Sequence, residues 1–333
     1  MIVITLCVRF HSRKQKNMEK IIKYTGLMLL FLWLLQSCSS SDTFDESRPL
    51  QVVATTSMVA DLVKNIGKDS IQLTSLMGPG VDPHLYKATQ GDLKQLRAAD
   101  IIFYNGLHLE GKMGEVFEKL ERIKTVVPIA RGIAKDRLIK DPEYADAPDP
   151  HIWFDVELWS STIDEVLGTL VEMDPDNELY YTKNAQDYKT QLSELDVWVK
   201  QQIQSIPVDQ RILITAHDAF SYFGRAYGLE VKGLQGISTL SEFGLRDRVD
   251  LVNFIVEKGI AAVFVETSVS EKNINSIVEG CRQRGHRVHI GGNLYSDAMG
   301  AEGSFQGTYV GMVRANVNTI VRGLVALSSK SEK

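Results

Sequence analysis

The amino-acid sequence predicts an α/β protein: two α/β lobes with mainly parallel sheets, joined by one long rigid helix. Three observations carry this expectation. β-Branched runs alternate with segments of helical period, the pattern of βαβ units and parallel sheets. Between Pro175 and Pro207 no glycine or proline interrupts a helical pattern, and beyond it the strand–helix rhythm begins again. A chain of 333 residues is also long enough for two sizeable cores. The expected division is an N-terminal lobe over 50–173, a linking helix over 174–207 and a C-terminal lobe over 208–333.

The first 37 residues read differently, as an export signal. After Met18, a plausible true start, come Lys20 and Lys23, the apolar run "LMLLFLWLL" and then "QSCSSSD". That order is a positive segment, a short apolar segment and small residues at a cut site. The run is shorter than the roughly 20 apolar residues a membrane-crossing helix needs. Leu35-Gln36-Ser37-Cys38 resembles a bacterial lipobox, which makes Cys38 the expected lipidation site; an ordinary secretory signal is the alternative. Acyl chains there would supply about 0.8 kcal/mol per buried methylene to membrane anchoring. Cleavage before Cys38 removes six basic residues and one acidic one, so the net charge of −5 becomes −10. Neither value gives the basic footprint of a nucleic-acid binder. With Cys7 removed and Cys38 acylated, only Cys281 remains, so no internal disulfide is expected.

Residues 38–49 form a polar tether. Structure is expected to begin with a strand at 50–56, followed by a helix at 57–67 with apolar Met58, Leu62 and Ile66 at helical spacing. A strand at 70–78, a helix at 91–100 and a strand at 101–106 follow. In 174–207, Tyr188, Leu192, Leu195, Val199 and Ile203 recur at steps of four and three; a helix of roughly 30 residues spans about 45 Å. Strands are then expected at 211–217, 230–235, 261–267 and 286–292. Helices are expected at 219–228, 245–259, 273–285 and 308–327.

Candidate chemistry collects where open α/β sheets bind ligands, beyond the carboxyl ends of strands. His84 follows the 70–78 strand, His217 ends the 211–217 strand, and Asp297 follows the 286–292 strand. His151 follows the loop "DPEYADAPDP". Both His84 and His151 stand in the tripeptide Asp-Pro-His, each followed closely by an apolar and then an aromatic residue. Proline fixes its own φ and pushes its predecessor into an extended conformation. Each imidazole is thereby held before a ligand arrives, which raises affinity by lowering the entropy lost on binding. Asp82 and Asp149 either accept the second imidazole N–H, as metal-bound histidines require, or simply start turns. His108 also follows a strand and reads as rim or structure. Glu266 is either a fifth oxygen donor or a supporting group. His286 and His289 lie at the wrong end of their strand. Residue types and spacing alone leave open whether these histidines hold a metal or are ordinary satisfied polar groups.

The segments "GPGVDPHLYKAT", "NGLHLEG", "PDPHIWFDV", "TAHDAFSYFGRAYGLEVKGLQGIS", "VFVETSVS" and "IGGNLYSDAMG" decide the matter differently. Together they make the chain resemble the zinc/manganese solute-binding lipoproteins of ABC metal importers, from about residue 50 to 325. The resemblance implies one divalent transition metal (zinc or manganese, with iron tolerated) held by His84, His151, His217 and Asp297. It implies an ABC permease as partner and a helix that limits lobe movement. It implies a monomer anchored by lipid and facing the periplasm or cell exterior, with no enzymatic activity. Three imidazoles and a carboxylate suit zinc and admit manganese. Many zinc-dedicated members carry a histidine-rich loop between the first two ligands. Here "IARGIAKDRLIKDPEYADAP" has no histidine, so the metal stays open. A zinc hydrolase is the rival reading, but catalytic zinc keeps an open position beside three protein ligands. A metal-stabilised surface adhesin is the other rival.

Overall fold

The computed structural model describes residues 48–140, 147–240 and 244–328. The export signal, Cys38 and nearly all of the tether lie outside the described residues. The N-terminal half builds one parallel sheet from β1 (Leu50–Ala54), β2 (Ile71–Ser75), β3 (Ile101–Tyr104) and β4 (Thr125–Pro128), in the order β2-β1-β3-β4. Its central strands are apolar on both faces: Val52, Val53, Ile101, Ile102 and Phe103 are all buried, as strands covered on both sides require. Helix α1 (Ser57–Gly67) is capped by Thr56, whose hydroxyl accepts from the Val59 N–H. Helix α2 (Gln90–Ala98) opens on a capping box between Thr89 and Asp92.

Between residues 107 and 173 the structure adds elements that the sequence pattern does not announce. These are α3 (Gly114–Leu120), β4, α4 (Val156–Ser161) and α5 (Ile163–Met173). Each is short or weakly punctuated. β4 has four residues and ends on a proline, while α4 and α5 are separated at Thr162 with neither glycine nor proline to mark the break.

Helix α6 (Glu178–Gln204) runs for 27 residues, about 40 Å, between a 3₁₀ turn at Pro175–Asn177 and its cap at Ser205. It buries Tyr181, Ala185, Tyr188, Leu192, Leu195, Val199 and Ile203. On the N-terminal side α6 packs against α1, α4 and α5, and on the other against the last helix, α10 (Tyr309–Ser328). Asn184 donates to the Ile66 carbonyl at 3.0 Å, and the Arg314 guanidinium lies 4.5 Å above the Trp198 ring. One apolar cluster therefore runs from β1 and α1 through α6 into α10 and Phe264.

In the C-terminal half, β5 (Ile212–His217) pairs in parallel with β6 (Glu230–Gln235), and β7 (Ala262–Glu266) with β8 (His289–Leu294). β5 runs beside β7. Helices α7 (Ser221–Tyr227), α8 (Leu245–Lys258) and α9 (Lys272–Gln283) cover them. β8 starts three residues later than the expected strand. His286 therefore precedes it, its Nε2 lying 2.7 Å from the Ile260 carbonyl oxygen, and His289 is its exposed first residue. Cys281 is buried and free. Among the described residues no helix is long and apolar enough to cross a membrane.

Candidate metal centre

Four polar side chains converge between the two halves. His217 is the last residue of β5, and Asp297 lies three residues beyond β8. His84 follows β2, and His151 leads into a 3₁₀ turn at Ile152–Phe154. One ligand atom from each of the four lies within 4.8 Å of all the others. His84 Nε2 and His151 Nε2 are 3.3 Å apart, His151 Nε2 and Asp297 Oδ1 3.4 Å, and His217 Nε2 and Asp297 Oδ2 3.3 Å. His84 Nε2 lies 3.9 Å from Asp297 Oδ2. Bonds of about 2.0 Å to a tetrahedral ion would put ligand atoms about 3.3 Å apart, so three of these four distances already fit. His217 Nε2 and both Asp297 oxygens are buried without a hydrogen-bond partner. Such groups are costly to leave in place unless a cation completes them.

The two Asp-Pro-His units make the same local turn. Asp82 Oδ1 accepts the His84 backbone N–H, and Asp149 Oδ1 accepts that of His151, both at 2.9 Å. Their remaining bonds differ. Asp149 Oδ1 also lies 2.8 Å from His151 Nδ1, directing Nε2 toward the centre. Asp82 Oδ2 instead accepts the hydroxyl of Thr239 at 2.6 Å, from the opposite half. Glu266 Oε1 accepts the His217 backbone N–H at 2.8 Å, and its Oε2 faces His217 Nδ1. Glu266 thus backs His217 rather than joining the four. Gly233 lets β6 approach closely: a Cβ there would sit 2.4 Å from the Asp218 backbone nitrogen and 2.6 Å from the His217 carbonyl carbon.

Burial and charge sort the imidazoles. Burial pushes the His84 pKa down to about 3, against the raising effect of Asp297, so this ring is neutral. For His151 burial acts downward too, but Asp149 and Asp297 outweigh it and the pKa rises to about 9. His217 is raised well above the usual range, because Glu266 and Asp297 overcome its desolvation. Asp297 is fully buried, which opposes ionisation, yet His217 and His151 hold it well below the ordinary carboxylate range.

A supporting frame surrounds the four residues, and sequence pattern reveals only part of it. The Trp153 indole lies edge-on to His151 at 5.2 Å between centroids and donates to the Ser296 carbonyl at 3.0 Å. Tyr309 donates to the Trp153 carbonyl at 2.7 Å, and Tyr222 to that of Asp149 at 2.8 Å. The aromatic residue two places after each Asp-Pro-His histidine is the one signal that pointed here. His108 is exposed and lies outside the four.

This fold and site define an α/β protein whose two halves jointly build one buried three-histidine, one-carboxylate centre able to hold a single metal ion. Residues 52–323 match the family described as ZnuA, zinc-uptake complex component A, periplasmic, and the chain belongs to that family. The manganese-binding lipoprotein MntA of Bacillus subtilis is 50% identical over 303 residues, which is 90% of this chain and 99% of that one. The zinc-binding protein TroA of Treponema pallidum is 49% identical over 287 residues, 86% of this chain and 92% of its own. The solved structure of that periplasmic zinc-binding protein superposes with a TM-score of 0.81 at 49% identity, covering 83% of this chain and 99% of the other. Fe(III)-bound YtgA of Chlamydia trachomatis superposes with a TM-score of 0.75 at 27% identity, over 83% and 98%.

Proposed function

We propose that this protein captures one divalent transition metal ion, zinc or manganese, outside the cytoplasm and delivers it to an ABC permease. Lipid on Cys38 would hold it at the membrane. His84, His151 and His217 would bind the ion through Nε2 and Asp297 through its carboxylate. The observation that carries the proposal is the convergence of four ligand atoms within 4.8 Å, with His217 Nε2 and the Asp297 carboxylate buried and without a hydrogen-bond partner.

Four protein donors leave no place for the activated water that hydrolytic zinc needs. This favours a carrier over an enzyme. Nitrogen-rich ligation makes zinc bind tighter than manganese, following the Irving–Williams order, while supply decides which is carried. The names of the relatives are divided in the same way, one manganese-binding and one zinc-binding. Metal analysis of natively purified protein, followed by zinc–manganese competition, tests the reading. About one ion per chain, displaced by zinc more readily than by manganese, is expected. A stoichiometry near zero after equilibration with either metal would refute it.

A further inference from the structure

One histidine beside the centre remains without a role. His108 stands on the turn between β3 and α3, where Gly106, Leu107 and His108 adopt φ of 86°, 54° and 65° in succession. Leu107 and His108 are two of three non-glycine residues with positive φ among the described residues. Strained conformations of this kind persist only when their surroundings enforce them. Here the enforcing group is Glu110, a buried carboxylate. Its Oε1 accepts the Thr55 hydroxyl at 2.7 Å and the Asn105 N–H at 2.8 Å, while its Oε2 accepts the Gly106 N–H at 3.3 Å. Asn105 in turn donates to the Pro150 carbonyl at 3.0 Å, next to His151. The turn is therefore fixed to the same frame as the centre.

What this turn presents is an exposed imidazole on the ridge between two clefts. The inner cleft, about 420 Å³, is lined by His84, His108, Pro150 and Leu240, so one of the four converging residues forms part of its wall. The outer cleft, about 470 Å³, shares His108 and carries Glu118 and Glu121. His108 thus borders both clefts, one carrying Glu118 and Glu121 and the other His84.

We propose that His108 is a transient metal ligand at the mouth of the site, taking an incoming divalent ion and passing it to His84. This rests on the metal-capture reading and adds to it an entry step. His108 lies outside the converged group of four, so it contributes nothing to the final complex. A group that contacts the ion only on the way lowers the barrier in both directions. Association and dissociation then slow together when it is lost, and the equilibrium is unchanged.

The test uses the full-length chain in detergent, with zinc binding followed by stopped-flow tryptophan emission. Trp153 adjoins His151 and serves as reporter. His108→Asn removes the imidazole but keeps the turn, because asparagine tolerates left-handed backbone; His108→Ala is the second variant. The expected result is an association rate constant lowered about five-fold or more, a dissociation rate constant lowered equally, and a calorimetric Kd within about two-fold of wild type. An unchanged association rate in both variants overturns the proposal. So does a Kd weakened about ten-fold or more with association unaffected, which would make His108 a permanent ligand. Failure of the wild-type chain to bind zinc at all would instead sink the capture reading.

Discussion

Zinc binding at pH 7.5 should expel close to two protons. His151, with its pKa raised to about 9, and His217, raised well above 6.5, are both protonated in the metal-free site, whereas His84, lowered to about 3, is not. Each imidazole must surrender its Nε2 proton to bind an ion. Three unperturbed histidines of pKa about 6.5 would together release only about 0.3 proton at this pH. The same difference governs affinity. With two protons displaced, each pH unit downward from 7.5 weakens binding about 100-fold, or about 2.7 kcal/mol. Ordinary histidines would leave it nearly flat above pH 7.5. Isothermal calorimetry in buffers of differing ionisation enthalpy counts the protons directly. Release of less than about half a proton at pH 7.5 would refute the charge assignment, and with it the idea that Asp149, Glu266 and Asp297 hold these imidazoles charged.

Other outcomes follow from the same contacts. His217→Ala removes a ligand atom while circular dichroism should report an intact fold; zinc affinity falls at least about 100-fold by calorimetry. Asp149→Asn, which keeps an amide oxygen but removes the negative charge behind His151 Nδ1, should weaken zinc about 10- to 100-fold. Asp82→Asn, which can keep both the turn and the Thr239 contact, should change the Kd by less than about three-fold; equal effects in the two variants would contradict their distinct bonding. Gly233→Ala forces a Cβ against the backbone of Asp218 and His217. It should destabilise the fold by about 1–3 kcal/mol, read as a lower midpoint in urea, and weaken zinc as well.

The parts of this molecule legible in its sequence are those with periodicity or fixed punctuation. Helix α6 is visible because an uninterrupted 3.6-residue period bounded by prolines has no competing reading. Helices α7 and α8 are visible because Gly228 and Gly259 stop them in left-handed conformations. α3, β4 and the α4–α5 break stayed hidden because they are specified by packing, not by local signals. β8 reads three residues early because Val288 and Ile290 carry the strand signal of "HRVHI", whereas pairing with β7 begins only at His289. At the site, His84, His217 and Asp297 are placed beyond strand ends and His151 on a proline-rich loop; spacing alone leaves their meeting open, and the family resemblance is what joins the four. Nothing local could tell that Asp149 turns to its own histidine while Asp82 reaches across to Thr239. Trp153, Ser296 and Tyr309 form contacts 143 and 156 residues apart in sequence, invisible to any short motif.

The apolar cluster that passes from β1 through α6 into α10 makes the two halves a single cooperative unit. Neither half can melt alone without exposing the other's interior, so calorimetry should record one heat-absorption peak. An ion seated between the halves then protects the entire chain by mass action, and the melting temperature becomes a direct gauge of how much of the protein carries cargo.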